Sequence, residues 1–162
     1  DALLTGELII SHAEIMELNG NKESEYRCVE NELNTLRKSG GRLHFAHMST
    51  KESIDLIRKA KEEGLHVTCE TAPHYFSMIK TQENINNSIF KVNPPLRQEE
   101  DRLAVIEGLL DGTIDVIATD HAPHSREEKN RVYLDAPMGI VGFETALGVA
   151  LTYLKDYLPI LK

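Results

Sequence analysis

Apolar positions along the chain follow two rhythms that take turns. Short apolar runs at 7–12, 42–47, 65–70, 89–93 and 113–119 have the length and β-branched content of buried strands. Between them the apolar positions spread to a helical spacing. In 24–38, Tyr26, Val29, Leu33 and Leu36 fall 3-4-3 apart, which places them on one helix face. Gly40-Gly41 stops that helix. Ser49-Thr50-Lys51-Glu52 reads as a capping box that opens the next one, and Gly64 closes it. A short helix is predicted near 77–82. Pro94-Pro95 shuts off the strand over 89–93, and Gly112 ends a helix over 98–111. After the run 113–119, the most regular of the five, a polar loop covers 120–138 and a last helix is predicted from Gly142 to Leu158.

Strands that alternate with helices imply parallel strands joined by helical crossovers, about five βα units of ~30 residues. Two architectures share this pattern. One is a small doubly wound sheet. The other is part of a (β/α)8 barrel, which needs ~200 residues or more to close. The 162 residues fit one domain over 1–162, with no second domain expected.

Composition narrows the class. The chain is 41% hydrophobic and 27% charged, as globular domains are. No apolar run approaches the ~20 residues of a membrane helix, so no membrane partner is expected. The first residues lack the basic and apolar regions of a signal peptide, and the missing initial Met suggests a fragment or a processed chain. Two cysteines, Cys28 and Cys69, are too few for a disulfide framework, which makes a reducing cytoplasm the expected compartment. A net charge of −8 and 6% aromatic residues argue against a nucleic-acid partner.

The candidate chemistry gathers at strand C-termini. His12 ends the first strand, His47 the second, Asn93 the fourth and Asp120-His121 the fifth. That edge carries the ligands and catalytic groups of both competing architectures. Two imidazoles and a carboxylate converging there would suit Zn²⁺, and an aspartate beside a metal-bound water can take its proton. The bland alternative makes each His a polar strand end and Asp120 a turn cap. It leaves His124, in Thr119-Asp-His-Ala-Pro-His124, unexplained.

Five stretches in order carry a resemblance. They are His47-Met-Ser-Thr-Lys-Glu52, Glu70-Thr-Ala-Pro-His74, Asn93-Pro-Pro-Leu-Arg97, Ile117-Ala-Thr-Asp-His-Ala-Pro-His124 and Ala136-Pro-Met-Gly139. Together they resemble the C-terminal part of the catalytic barrel of the dihydroorotases, of the class I bacterial type in the amidohydrolase superfamily. The resemblance covers almost the whole chain. Hydantoinases and allantoinases share the plan but are less similar in the Asn-Pro-Pro-Leu-Arg and Asp-His-Ala-Pro-His stretches.

The resemblance implies a (β/α)8 TIM barrel of the metal-dependent hydrolase type, of which this chain holds roughly the second half. It implies reversible, zinc-dependent hydrolysis of the cyclic amide of dihydroorotate to N-carbamoyl-L-aspartate, in de novo pyrimidine biosynthesis. His12, His47 and Asp120 match metal ligands, and Asp120 also matches the residue that serves as base and acid. Asn93 and His124 match substrate-binding positions, as do Pro137, Met138 and Gly139. Two Zn²⁺ ions per intact site, a homodimer and association with aspartate carbamoyltransferase are the implied cofactor and partners. The family's first-strand His-x-His pair, its arginine and its bridging carboxylate are not in this sequence, so the segment alone is expected to be inactive. The alternatives are a non-catalytic relative acting as a scaffold, and another cyclic amidase such as a hydantoinase or allantoinase. His74, His44, His66 and Cys69 read as structural.

Overall fold

The computed structural model describes residues 6–157. Four parallel strands stand side by side in chain order: β1 (Leu8–Ser11), β2 (Arg42–Phe45), β3 (Val67–Thr71) and β4 (Val116–Ile117). Ser11 pairs with Phe45, Phe45 with Cys69, and Thr71 with Ile117. Three crossovers link them. α1 (Lys22–Ser39) joins β1 to β2, and α2 (Lys51–Glu62) joins β2 to β3. The third contains the short α3 (Pro73–Ser77) and then α4 (Glu99–Asp111). The short α5 (Arg126–Lys129) and α6 (Ala146–Leu154) follow β4.

The helices form where their caps and stripes place them. Asn21 caps α1 by accepting from the Glu23 N–H, and Gly40 ends it in the left-handed conformation, its N–H on the Leu36 carbonyl. Val29, Leu33 and Leu36 are buried against Leu43 and Phe45 of the sheet layer. α2 starts one residue later than the expected capping box: Thr50 is its N-cap, and it accepts from the Ser53 N–H. Ile54, Ile57 and Ala60 of α2, Val105 and Ile106 of α4, and Ile114 complete the core on the helix-covered face.

The opposite sheet face is polar and open. Ile10, His44 and Thr68 share one register row. His44 bonds Thr68 Oγ1 at 2.8 Å and sits 3.3 Å from Glu70. Ile10, 68% exposed, is covered by nothing within the described residues.

Four expectations are corrected. The run 89–93 is not a strand, so the described sheet has four strands rather than five. Ser88–Phe90 is a 3-10 turn, started by Asn87, whose side chain accepts from the Ile89 N–H. Lys91 breaks the apolar run by sending its ammonium group to the carbonyls of Tyr133, Leu134 and Ala136 at 2.7, 3.0 and 2.7 Å. This segment packs on the 130–138 loop, not on a sheet neighbour. The run 113–119 pairs over two residues only, because the Asp115 carboxylate takes the Cys69 N–H at 2.9 Å in place of a main-chain acceptor. The expected helix near 77–82 lies earlier, at 73–77, where Pro73 supplies a first-turn residue that needs no N–H acceptor. The last helix begins at Ala146, because the Gly142–Phe143 amides are bound to His121 instead; Leu158 lies outside the described residues.

Candidate active site

The C-terminal ends of the strands bring the predicted residues together. His12 follows β1 and His47 follows β2. The one-to-one β1–β2 register carries both rings to the same level. Nδ1 of His12 lies 2.7 Å from Nε2 of His47, with the ring planes at 73°. On its other side, Nε2 of His12 lies 3.2 Å from Glu14 Oε2. Asn93 closes this group. Its Nδ2 reaches both His12 Nε2 and Glu14 Oε2 at 3.2 Å.

His47 sits in a strained turn. Ala46 donates to the Ser11 carbonyl of β1, whereas Met48 donates to the Glu70 carbonyl of β3. The chain changes partner strand at His47, which takes φ 41° to do so. Asp120 does the same after β4: Ala118 bonds the Thr71 carbonyl, and Asp120 has φ 47°. Among the described residues these two alone, glycines aside, have positive φ. Left-handed backbone costs an L-residue ~1–2 kcal/mol, and such strain clusters at functional sites.

Burial shifts the proton affinities of the groups here. It holds the His47 imidazole below the usual histidine range, His12 pushes the same way, and Asp120 and Glu25 oppose it. Burial raises the Asp120 carboxyl, with His47 and His12 pulling it back and Glu70 adding to the rise. His74, from the buried α3, sits 3.7 Å from Asp120 Oδ2. Burial and then His47 push it down to about 4, so it stays neutral. Its Nε2 and the Nδ1 of His47 are buried without a hydrogen-bond partner.

The donor types at this edge fit a zinc ion. A neutral imidazole offers a lone pair, and the facing His12 and His47 nitrogens are already aimed at a common point. Once the proton between them is given up, both nitrogens would be available to hold a zinc ion. The Glu14 carboxylate, 3.2 Å from the far nitrogen of His12, would orient that ring if it held an ion. Among the described residues no group of three or more His, Cys, Asp or Glu side chains is drawn close enough to form a metal cluster.

The remaining predicted residues form a second group. His124 Nε2–H donates to the Met138 carbonyl at 2.9 Å, and the Gly139 N–H reaches the Lys91 carbonyl at 2.9 Å, two residues before Asn93. Gly139 has φ 142°, and a Cβ there would lie 2.4 Å from the Ala122 carbonyl. Lys129 adds a brace: its ammonium group reaches the carbonyls of Ser88, Lys91 and Pro137 at 2.9–3.2 Å. His121, which has no predicted role, accepts from the Gly142 and Phe143 N–H groups and stacks on Phe143 at 4.0 Å. Glu14 was also unassigned, although it stands two residues from His12 in the sequence.

No protein-family model matches the chain. Individual relatives do. A dihydroorotase of Acetivibrio thermocellus is 58% identical over 112 residues, covering 69% of this chain and 26% of the relative. The dihydroorotase of Endomicrobium trichonymphae is 43% identical over 166 residues, covering 91% of this chain and 39% of the relative. In structure, an L-hydantoinase (dihydropyrimidinase) of Arthrobacter aurescens superposes with a TM-score of 0.86 at 26% identity, over 96% of this chain and 40% of that one. A D-hydantoinase of a Thermus species gives the same TM-score at 22% identity, with the same coverage. The fold is therefore part of an amidohydrolase-type (β/α) barrel, with its polar strand ends at the functional edge. Within that class the chain belongs with the dihydroorotases, and it spans between 26% and 39% of the length of these two curated relatives.

Proposed function

We propose that the protein carrying this segment is a dihydroorotase, which hydrolyses the cyclic amide of dihydroorotate to N-carbamoyl-L-aspartate and closes it again in the biosynthetic direction. The observation that carries the reading is the pair of strained turns. His47 and Asp120 follow β2 and β4 in left-handed turns, and Nε2 of His47 lies 2.7 Å from Nδ1 of His12. Identity of 43–58% to dihydroorotases supports this substrate over other cyclic amides.

Each residue then has a role its surroundings suit. His12 and His47 would hold zinc through the nitrogens that face each other, and Asp120 would complete the set available in this segment. Zinc bound there would acidify a water and polarise the ring carbonyl. Asp120, whose affinity for a proton burial has raised, accepts the proton of the attacking water and returns it to the leaving amide nitrogen. Asn93 and His124 hold the ring, and the Pro137–Met138–Gly139 backbone lies along it. Positioning of this kind is worth several powers of ten in rate. His12, His47 and Asp120 would suffice for one ion, and a second ion would need ligands from outside this segment.

The test uses the full-length protein. Turnover of dihydroorotate is followed by ultraviolet absorbance beside hydantoin and allantoin, with zinc measured by elemental analysis. Dihydroorotate should be the preferred substrate, and Asp120→Asn should abolish turnover. Preference for hydantoin or allantoin would move the protein to another cyclic amidase. Absence of all three activities in zinc-loaded protein would make it a scaffold.

A further inference from the structure

Glu25 is a carboxylate inside the protein, 2% exposed, on the face of α1 that otherwise carries Val29, Leu33 and Leu36. Its Oε1 accepts from the Ser49 N–H at 3.1 Å, the Thr50 N–H at 2.9 Å and the Thr50 hydroxyl at 2.8 Å. Its Oε2 accepts from the Ser49 hydroxyl. Arg97, itself nearly buried, brings Nη2 to 3.6 Å from the same oxygen and donates through Nε to Ser49 Oγ at 3.1 Å.

These contacts go further than capping a helix. Thr50 already caps α2 toward Ser53, so the start of that helix has its own acceptor. The groups that Glu25 holds lie on two segments far apart in sequence. Ser49 and Thr50 follow His47 directly, downstream of its left-handed turn. Arg97 ends the Asn93-Pro-Pro-Leu-Arg97 stretch, and Asn93 contacts His12 and Glu14. A buried charge costs several kcal/mol unless it is fully paired, and this one is paired to both segments at once.

We propose that Glu25 is a positioning residue, which through Ser49, Thr50 and Arg97 locks the His47 turn and the Asn93 loop in one relative placement. The proposal rests on reading His47 and Asn93 as site residues. Glu25 touches neither ring of the His pair. Its effect passes through the main chain and through the guanidinium group. Glutamine in its place would keep the volume and one acceptor oxygen but would present an amide NH₂ to the donors of Ser49 and Thr50 and lose the charge that faces Arg97.

The test compares Glu25→Gln, Arg97→Lys and Leu33→Ala in the full-length protein. Leu33→Ala is a buried apolar truncation in the same helix, outside the network. Amide exchange is read at 46–53 and at Asn93, Leu96 and Arg97. Exchange in Glu25→Gln should rise about tenfold or more in both segments together, and Arg97→Lys should act on the same two. In active protein, kcat for dihydroorotate should fall about tenfold or more and zinc content should drop. Leu33→Ala should lower the thermal midpoint without either effect. Faster exchange confined to 49–53 would reduce Glu25 to a helix cap and overturn the proposal. So would kcat, KM and zinc content within about twofold of the parent in folded Glu25→Gln. If the parent protein does not act on dihydroorotate, the functional reading fails while the exchange experiment still decides this one.

Discussion

Nδ1 of His12 stands 2.7 Å from Nε2 of His47, a spacing that one shared proton spans. Without an ion, one ring must donate to the other, and the donor is set by the tautomer. With an ion, both nitrogens are lone-pair donors and the proton leaves. The Glu14 carboxylate favours a proton on the far nitrogen of His12, leaving the near one free.

The first prediction separates ligands from substrate contacts. His12→Ala and His47→Ala in the full-length protein should lose most of the bound zinc. Asn93→Ala and His124→Ala should keep zinc near the parent level and raise KM for dihydroorotate. Elemental analysis beside steady-state kinetics reads both. Zinc loss in Asn93→Ala or His124→Ala would move that residue into the metal shell.

Gly139 offers a second test. A Cβ there would lie 2.4 Å from the Ala122 carbonyl and 3.0 Å from His124 Nε2, in a backbone conformation that L side chains rarely adopt. Gly139→Ala should cost about 2–4 kcal/mol of stability through strain and overpacking. It should also push His124 off the Met138 carbonyl. Thermal denaturation reads the first effect, and the His124 ring proton shifts in NMR read the second. A midpoint equal to that of the parent would show that the loop moves aside freely.

The thiols titrate high. Burial pushes Cys28 up to about 11 and Cys69 up to about 12, with Glu32 and Asp115 as lesser contributors. Both folded values lie above the ordinary one, so the stability they contribute is full below about pH 9 and is lost as pH rises toward 11–12. At pH 8 the thiolate fraction is about a thousandth or less, so neither thiol should react readily with a disulfide reagent in the native state. Both should react in denaturant. Cys69, the more buried, should be the slower of the two when the pH is raised.

Much of this was legible in the chain, and the failures have physical causes. α1, α2 and α4 follow from helical spacing and from the glycines that end the first and last of them, since a single face meets the sheet. Ile89, Phe90 and Val92 mimic a strand because apolar burial against a loop leaves the same signature as burial in a sheet. Asp115 shortens β4 by a side-chain hydrogen bond that no propensity scale registers. His12, His47 and Asp120 are legible as polar residues beyond strand ends, whereas Asn93 sits in a loop although it reads as a strand end. The contact between His12 and His47 depends on a register between strands separated by an 18-residue helix. Glu25 left a trace that was open to reading: a carboxylate continuing the 29–33–36 stripe one turn upstream, at a position meant for an apolar side chain.

The last prediction concerns the loop that carries Pro137, Met138 and Gly139. Lys91, 9% exposed, places its ammonium group on the carbonyls of Tyr133, Leu134 and Ala136 and stands 5.1 Å from the centroid of the Tyr133 ring. Lys129 holds the neighbouring carbonyls of Lys91 and Pro137, and burial followed by the charge of Lys91 keeps it below the ordinary lysine value. A carbonyl trio has no donor of its own to fall back on. Lys91→Met keeps the length of the side chain and removes the charge, leaving three acceptors without their donor. Charged hydrogen bonds of this kind are worth ~1.5–3 kcal/mol each when broken singly, but acceptors that can turn to water recover part of that, so about 2–3 kcal/mol in total is expected. The loss should be local. Arg131 is exposed beside the loop, and trypsin should cut after it faster in Lys91→Met than in the parent, while cuts elsewhere keep their rates. KM for dihydroorotate should rise with kcat less affected, because the backbone along the ring would be displaced and Asp120 would not. Unchanged cleavage after Arg131 together with an unchanged KM would show that the loop is held by Lys129 and its own turns alone.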